Sequence, residues 1–97
     1  MKLRKEYLIA YDIEDTPIRT RIYKQLLAYG LKSIQKSIFW GFLSVAELNA
    51  IKRLFDELLD DFDKVFITMV NMQVQKIEYS HGYNEVIFND WEEYGHI

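Results

Sequence analysis

The apolar run Tyr7-Leu8-Ile9-Ala10-Tyr11 is rich in strand formers and ends abruptly in the polar stretch Asp12-Ile13-Glu14-Asp15, which predicts a buried central strand. Thr16-Pro17 predicts a helix start, with Thr16 as the cap and proline at the first helical position, where a missing N–H costs nothing. Ile18, Ile22, Leu26 and Tyr29 then recur at helical spacing on one face, and Gly30 supplies a left-handed stop. Leu31 to Leu43 favours strand, either one bent strand or a tight hairpin turning near Lys36-Ser37. Ser44-Val45-Ala46-Glu47 has the spacing of a capping box, and Leu48, Ile51, Phe55, Leu58 and Phe62 continue a second helical face. Asp60 to Asp63 breaks that helix. Lys64 to Val70 predicts another buried strand, Val74 to Tyr79 a partly polar strand, and Ser80 to Asn84 a loop.

This order fits an α+β domain in which an antiparallel sheet carries both helices on one face, the ferredoxin-like arrangement. The pattern predicts a single domain over 1–97, with 80–97 as a C-terminal extension. In that extension Glu85-Val86-Ile87-Phe88 predicts one more strand, followed by the acidic, aromatic tail Asp90-Trp91-Glu92-Glu93-Tyr94. An apolar strand beyond a complete small sheet needs an edge to pair with, and a second copy of the chain would supply one. A homodimer is expected on that ground.

Composition narrows the chemistry. With 97 residues, the chain is too short for a large catalytic fold, and with no cysteine it has no disulfide, thiolate metal site or Cys nucleophile. Any metal chemistry must use oxygen ligands or histidine. No apolar run approaches the roughly 18 residues of a membrane helix, and the charged N-terminus does not read as a signal peptide, so a soluble cytoplasmic protein with no membrane role is expected. The net charge of −3 hides an asymmetry: residues 1–36 hold eight basic and four acidic side chains, whereas the remainder holds four basic and eleven acidic. A basic first third can form a phosphate-binding face that the average conceals.

Asp12 is the residue of greatest interest, because a carboxylate at the end of a buried strand is held by rigid backbone yet reached by water. A turn-forming or capping aspartate is the plain alternative. In a dimer whose two-fold axis passes near the ends of the first strands, both copies of Asp12 would meet. Two close carboxylates either share a proton or take up a divalent cation, and hard oxygen ligands favour Mg²⁺, with Mn²⁺ as substitute. Arg19, Arg21 and Lys24, at or near a helix start, are candidates for holding phosphate, and Lys36 extends that surface. Tyr11, Phe39 and Trp40 are candidates for base stacking, although aromatics in strand runs mostly pack in cores. Ser37 has no paired base. His81 and His96 lack ligand spacing, and the four glycines are scattered, which excludes a P-loop.

Tyr7-Leu8-Ile9-Ala10-Tyr11-Asp12-Ile13, with Arg19 and Arg21 after it, Tyr29-Gly30-Leu31, and then Ile34-Gln35-Lys36-Ser37-Ile38-Phe39, resembles the CRISPR-associated protein 2 family over about residues 6–79. The resemblance implies a ferredoxin-like homodimer whose terminal strand crosses to the partner's sheet. It also implies that Asp12 is the metal-binding catalytic acid, with Arg19 and Arg21 assisting and with Ser37 and Phe39 in the second motif. It implies metal-dependent endonuclease activity on single-stranded RNA or double-stranded DNA. It further implies work with the CRISPR-associated protein 1 integrase in spacer acquisition, where the dimer bridges integrase dimers and binds the protospacer duplex. Ser33 departs from the pattern, standing where many relatives carry Arg or Lys, and the acidic tail suits docking on a protein through Trp91 and Tyr94. Two other readings stand beside this one: a free-standing, toxin-like ribonuclease of the same fold, and a nonenzymatic regulatory binding module.

Overall fold

The computed structural model describes residues 3–83 and 87–89. Its elements run β1 (Lys5–Asp12), α1 (Thr16–Ala28), β2 (Lys32–Gln35), β3 (Ile38–Leu43), α2 (Val45–Leu58) and β4 (Lys64–Met69). The sheet is antiparallel with strand order β2-β3-β1-β4, so β1 is central and β4 forms an edge. Successive side chains of a strand alternate between faces. Tyr7, Ile9 and Tyr11 of β1 and Phe39 and Leu43 of β3 point one way and join Ile22 and Leu26 of α1 and Ile51 and Phe55 of α2 in one buried cluster. Both helices therefore cover the same face, as the alternating α+β pattern predicts.

The helix ends follow from local chemistry. Asp15, rather than Thr16, caps α1: its Oδ2 accepts from the Ile18 N–H at 3.0 Å, which leaves Thr16 and Pro17 as the first helical residues. A carboxylate is at least as good a cap as a hydroxyl and also favours the positive helix end. At the other end Gly30, with φ +89°, lets its own N–H reach the Leu27 carbonyl and that of Leu31 reach Leu26, with both leucines buried. The capping box at the start of α2 forms, Ser44 Oγ accepting from the Glu47 N–H at 3.2 Å and Glu47 Oε1 from the Ser44 N–H at 2.8 Å. The segment 31–43 is a hairpin turning at Lys36-Ser37, with an irregularity between Ser33 and Gln35. Gly41 permits close packing there, because a Cβ at that position would lie 2.8 Å from Leu31 Cδ2.

Three expectations are corrected. Phe62 does not extend the α2 face; it lies in the turn after the helix, 82% exposed, because the helix already stops at Leu58. The strand beginning at Lys64 is not a buried one. Among the described residues it pairs only with β1, and Phe66 and Met69 are largely exposed. Val74 to Tyr79 forms no strand: after the Val70 N–H to Glu6 carbonyl bond that prolongs the β1–β4 pairing and the Met72 N–H bond to the Glu6 carboxylate, the segment is irregular and exposed. Ile87 and Phe88 are not in a strand, while Glu85 and Val86, with which the expected strand begins, and the tail residues Asp90, Trp91, Glu92, Glu93 and Tyr94 lie outside the described residues, as does His96.

The sheet's other face is open. Leu8, Ala10, Ile38 and Phe42 are half-buried on it, and Phe66 is exposed. Trp40 alone is fully covered there, with Phe42 and Phe88 edge-on at 5.7 and 5.4 Å and its Nε1–H donating to Glu6 Oε2 at 2.7 Å. Among the described residues no helix is long and apolar enough to cross a membrane.

Candidate nucleic-acid and metal site

Asp12 is the last residue of β1 rather than the first after it, and alternation from buried Tyr11 places it on the open face. It is exposed, and among the described residues its carboxylate accepts no hydrogen bond and closes no ion pair. The neighbouring chain is fixed from several sides. Ile13 returns to the core at 3% exposure, the Glu14 N–H donates to Asp63 Oδ1 at 3.3 Å, and the Asp63 carboxylate also accepts from the Asp60 N–H at 3.2 Å. The Arg19 guanidinium donates to the Ile13 carbonyl at 2.7 Å, the Glu14 carbonyl at 3.2 Å and Thr16 Oγ1 at 3.0 Å. The loop that follows this strand-tip carboxylate is thus braced by two charged side chains.

Between α1 and the β2–β3 hairpin runs an open groove of about 670 Å³ whose walls include Tyr11, Asp12, Arg19, Tyr23, Lys36 and Ser37. It brings together five of the residues singled out from sequence: Asp12, Tyr11, Arg19, Lys36 and Ser37. Arg21 and Lys24 sit at exposed positions of α1 outside this groove. Phe39 is wholly buried, stacked at 6.0 Å on Tyr11 and meeting Tyr23 edge-on at 5.3 Å, so it shapes the floor rather than offering a stacking surface. The turn is tied to β1 by the Tyr11 N–H donating to the Ser37 carbonyl at 3.0 Å. Among the described residues the Tyr11 hydroxyl is buried without a hydrogen-bond partner. Burial, reinforced by the neighbouring Tyr23 and opposed by Arg19, pushes its pKa above the ordinary tyrosine value.

One chain offers a cation very little. Asp15 is committed to the helix cap and Asp63 to two backbone amides, whereas among the described residues the Asp12 carboxylate at the strand tip and the Glu14 carboxylate on the following loop make no such bond. Among the described residues no group of three or more His, Asp or Glu is placed to hold a metal ion. The donor set suits Mg²⁺ or Mn²⁺ in chemistry, being hard oxygen, but one such carboxylate supplies few of the roughly six ligands these ions take.

Sequence reasoning missed Lys64. The register pairs it directly with Asp12 across β1 and β4, so both lie on the open face, where Ala10, Asp12, Lys64 and Phe66 line a hollow of about 310 Å³. Alternation along one strand cannot reveal such a pair, because it requires the register between two strands. Asp63 and Glu6 were missed for a related reason: each acts on backbone that only folding brings near.

The sequence profile of the family "CRISPR associated protein Cas2" matches residues 5–77. The chain is 71% identical over 97 residues, the whole of both chains, to CRISPR-associated endoribonuclease Cas2 1 of Francisella tularensis subsp. novicida. It is 27% identical over 90 residues, 93% of this chain and 94% of the relative, to CRISPR-associated endoribonuclease Cas2 of Haloferax volcanii. Among solved structures, a crystal structure of cas2 superposes with a TM-score of 0.67 at 24% identity, covering 89% of this chain and 100% of that one, a likeness of fold.

Proposed function

Because the chain belongs to the CRISPR-associated Cas2 family, we propose that it works as a homodimeric, nucleic-acid-binding subunit of CRISPR adaptation, with a Mg²⁺-dependent phosphodiesterase centre at the paired Asp12 carboxylates. The observation that carries this reading is the position of Asp12: a carboxylate without a partner among the described residues, at the tip of the central strand, on the sheet face that is apolar and open. Leu8, Ala10, Ile38, Phe42 and Phe66 give that face the character of half a sheet-on-sheet core. A second copy packed against it about a two-fold axis near the strand ends brings the two carboxylates together. The free edge of β4 is available to a strand arriving from the partner, the role expected of residues 85–88.

Each part of the site then has a physical task. Paired carboxylates repel, and a divalent cation relieves the repulsion. When bound, the ion supplies an activated water and a polarised phosphate for in-line displacement. The residues of this chain hold that centre in place: Arg19 and Asp63 fix the backbone just after the tip, and Ile13 anchors it in the core. Lys36, on the groove wall, offers a cation to the nucleic-acid backbone, and Arg21 and Lys24 extend the basic surface along α1. Since two relatives carry the name endoribonuclease, single-stranded RNA is the first substrate to test and duplex DNA the second.

The test compares wild type with Asp12→Ala for cleavage of both substrates, with Mg²⁺ and with chelator, while light scattering reports the oligomer. Loss of cleavage by a variant that remains dimeric supports the centre. Unchanged cleavage by Asp12→Ala, or a wild-type monomer, removes it. Spacer uptake in cells containing the CRISPR-associated protein 1 integrase then separates two roles. Uptake that survives in Asp12→Ala assigns the dimer a bridging and duplex-binding task independent of its phosphodiesterase chemistry.

A further inference from the structure

Lys64 faces Asp12 in the β1–β4 register, yet the two charged ends close no ion pair. Both open into the hollow of about 310 Å³ beside the exposed ring of Phe66. The backbone position of Lys64 is doubly fixed, by the ladder to β1 and by the Asp63 carboxylate that binds the Glu14 N–H. The other basic candidates are placed differently. Arg19 is committed to the Ile13 and Glu14 carbonyls, Lys36 lies on the hairpin turn, and Arg21 and Lys24 stand on the outer surface of α1. Lys32 shares the open face but lies over Trp40, with Nζ 6.0 Å from the ring centroid.

A bare carboxylate at a strand tip repels a phosphodiester, so a backbone drawn to Asp12 needs a compensating positive charge at the same place. We propose that Lys64 is the substrate-binding cation of this site, donating to a non-bridging phosphate oxygen of the nucleic-acid strand that passes Asp12. The inference rests on the reading of Asp12 given above and adds a residue to it. In a dimer the site holds two such lysines, one beside each acid. The competing role is a cross-strand charge pair that only steadies the sheet edge.

Binding measured without metal separates these roles. Fluorescence anisotropy of a labelled single-stranded RNA oligonucleotide and of a labelled DNA duplex, in chelator and across a salt series, is compared for the full-length wild type, Lys64→Met and Lys64→Arg. Loss of one phosphate contact per copy makes the dependence of log affinity on log salt shallower by roughly 1 to 2. Lys64→Met is therefore expected to bind about tenfold more weakly near 0.1 M salt with that shallower slope, and Lys64→Arg to stay within about twofold of wild type. Equal affinity and slope for Lys64→Met and wild type would overturn the proposal and leave the structural pair. Failure of Arg to rescue would overturn it too. If Asp12→Ala still cleaves while Lys64→Met loses metal-free binding, the centre at Asp12 fails and the phosphate contact stands. A wild type that binds neither probe sinks both.

Discussion

Replacing Arg19 by Ala removes three hydrogen bonds at once, to the Ile13 carbonyl, the Glu14 carbonyl and Thr16 Oγ1. Bonds from a charged donor contribute about 1.5–3 kcal/mol each when buried, but this guanidinium is half-exposed and water can take over part of the carbonyls' needs. The short bond to Ile13, which is part-buried, carries most of the effect, and a total near 2 kcal/mol is expected, or roughly 10 °C in melting temperature for a domain of this size. The functional consequence follows from geometry. Arg19 braces the backbone immediately after Asp12, so its loss should reduce cleavage while leaving the salt dependence of nucleic-acid binding nearly unchanged. A phosphate ligand behaves in the opposite way, with little change in stability and a binding slope shallower by about 1 per copy. Arg19→Lys sharpens the contrast, because lysine keeps the charge but cannot span several acceptors with a planar fork. Denaturant titration at fixed protein concentration, paired with anisotropy across salt, reads both quantities. A stable Arg19→Ala variant with a shallower slope would refute the bracing argument.

Tyr11→Phe removes a buried hydroxyl without a partner and should stabilise the fold by about 1 kcal/mol in denaturant titration. Because burial raises the Tyr11 pKa, the folded state holds its proton more tightly than the unfolded chain, so stability declines as pH rises above about 10. Tyr11→Phe should flatten that decline, and an unchanged alkaline profile would contradict it. Gly41→Ala places a Cβ 2.8 Å from Leu31 Cδ2 and should cost about 1–3 kcal/mol, read as a lower melting temperature. Phe66→Glu puts a charge on the open face at a position already 57% exposed. It should leave the monomer fold intact by circular dichroism and turn a dimer into a monomer by light scattering.

The helices were legible because each announces itself through local chemistry. Ser44 and Glu47 form a capping box readable from spacing alone, and Ile22 and Leu26 are buried where the helical period places them. Even the error at the start of α1 concerned two adjacent residues that both cap well, Asp15 and Thr16. Strands were harder, because an apolar sequence states that a segment wants burial and not which edge receives it. Val65 and Ile67 do pack on the core, yet Phe66 and Met69 between and after them are exposed on a strand with a single neighbour. Val74, Ile77 and Tyr79 read as strand and are instead irregular and exposed: their apolar spacing asks for burial, but no strand among the described residues pairs with them.

The site divides along the same line. Asp12 could be singled out because a strand that ends in a carboxylate is a local feature, and Tyr11, Lys36 and Ser37 because they flank the same sheet end in sequence motifs. Their supports could not be found this way. Arg19 looks like a phosphate ligand in sequence, since a basic residue near a helix start suggests anions, but in the fold its hydrogen bonds run back to the strand-to-helix loop. Lys64 looks like a solvated lysine at a strand start, but the register sets it opposite Asp12. The two cases differ in reach: the Arg19 bonds span five and six residues and depend on the loop's turn, whereas Lys64 and Asp12 are 52 positions apart and meet only through strand pairing. Asp12 thus has cations from two directions, Arg19 and Lys36 across the groove and Lys64 beside it on the edge strand, and the proposal gives the phosphate contact to Lys64. On that argument, neutralising Lys64 should change metal-free binding more than neutralising Arg21 or Lys24, despite the greater density of basic charge on α1.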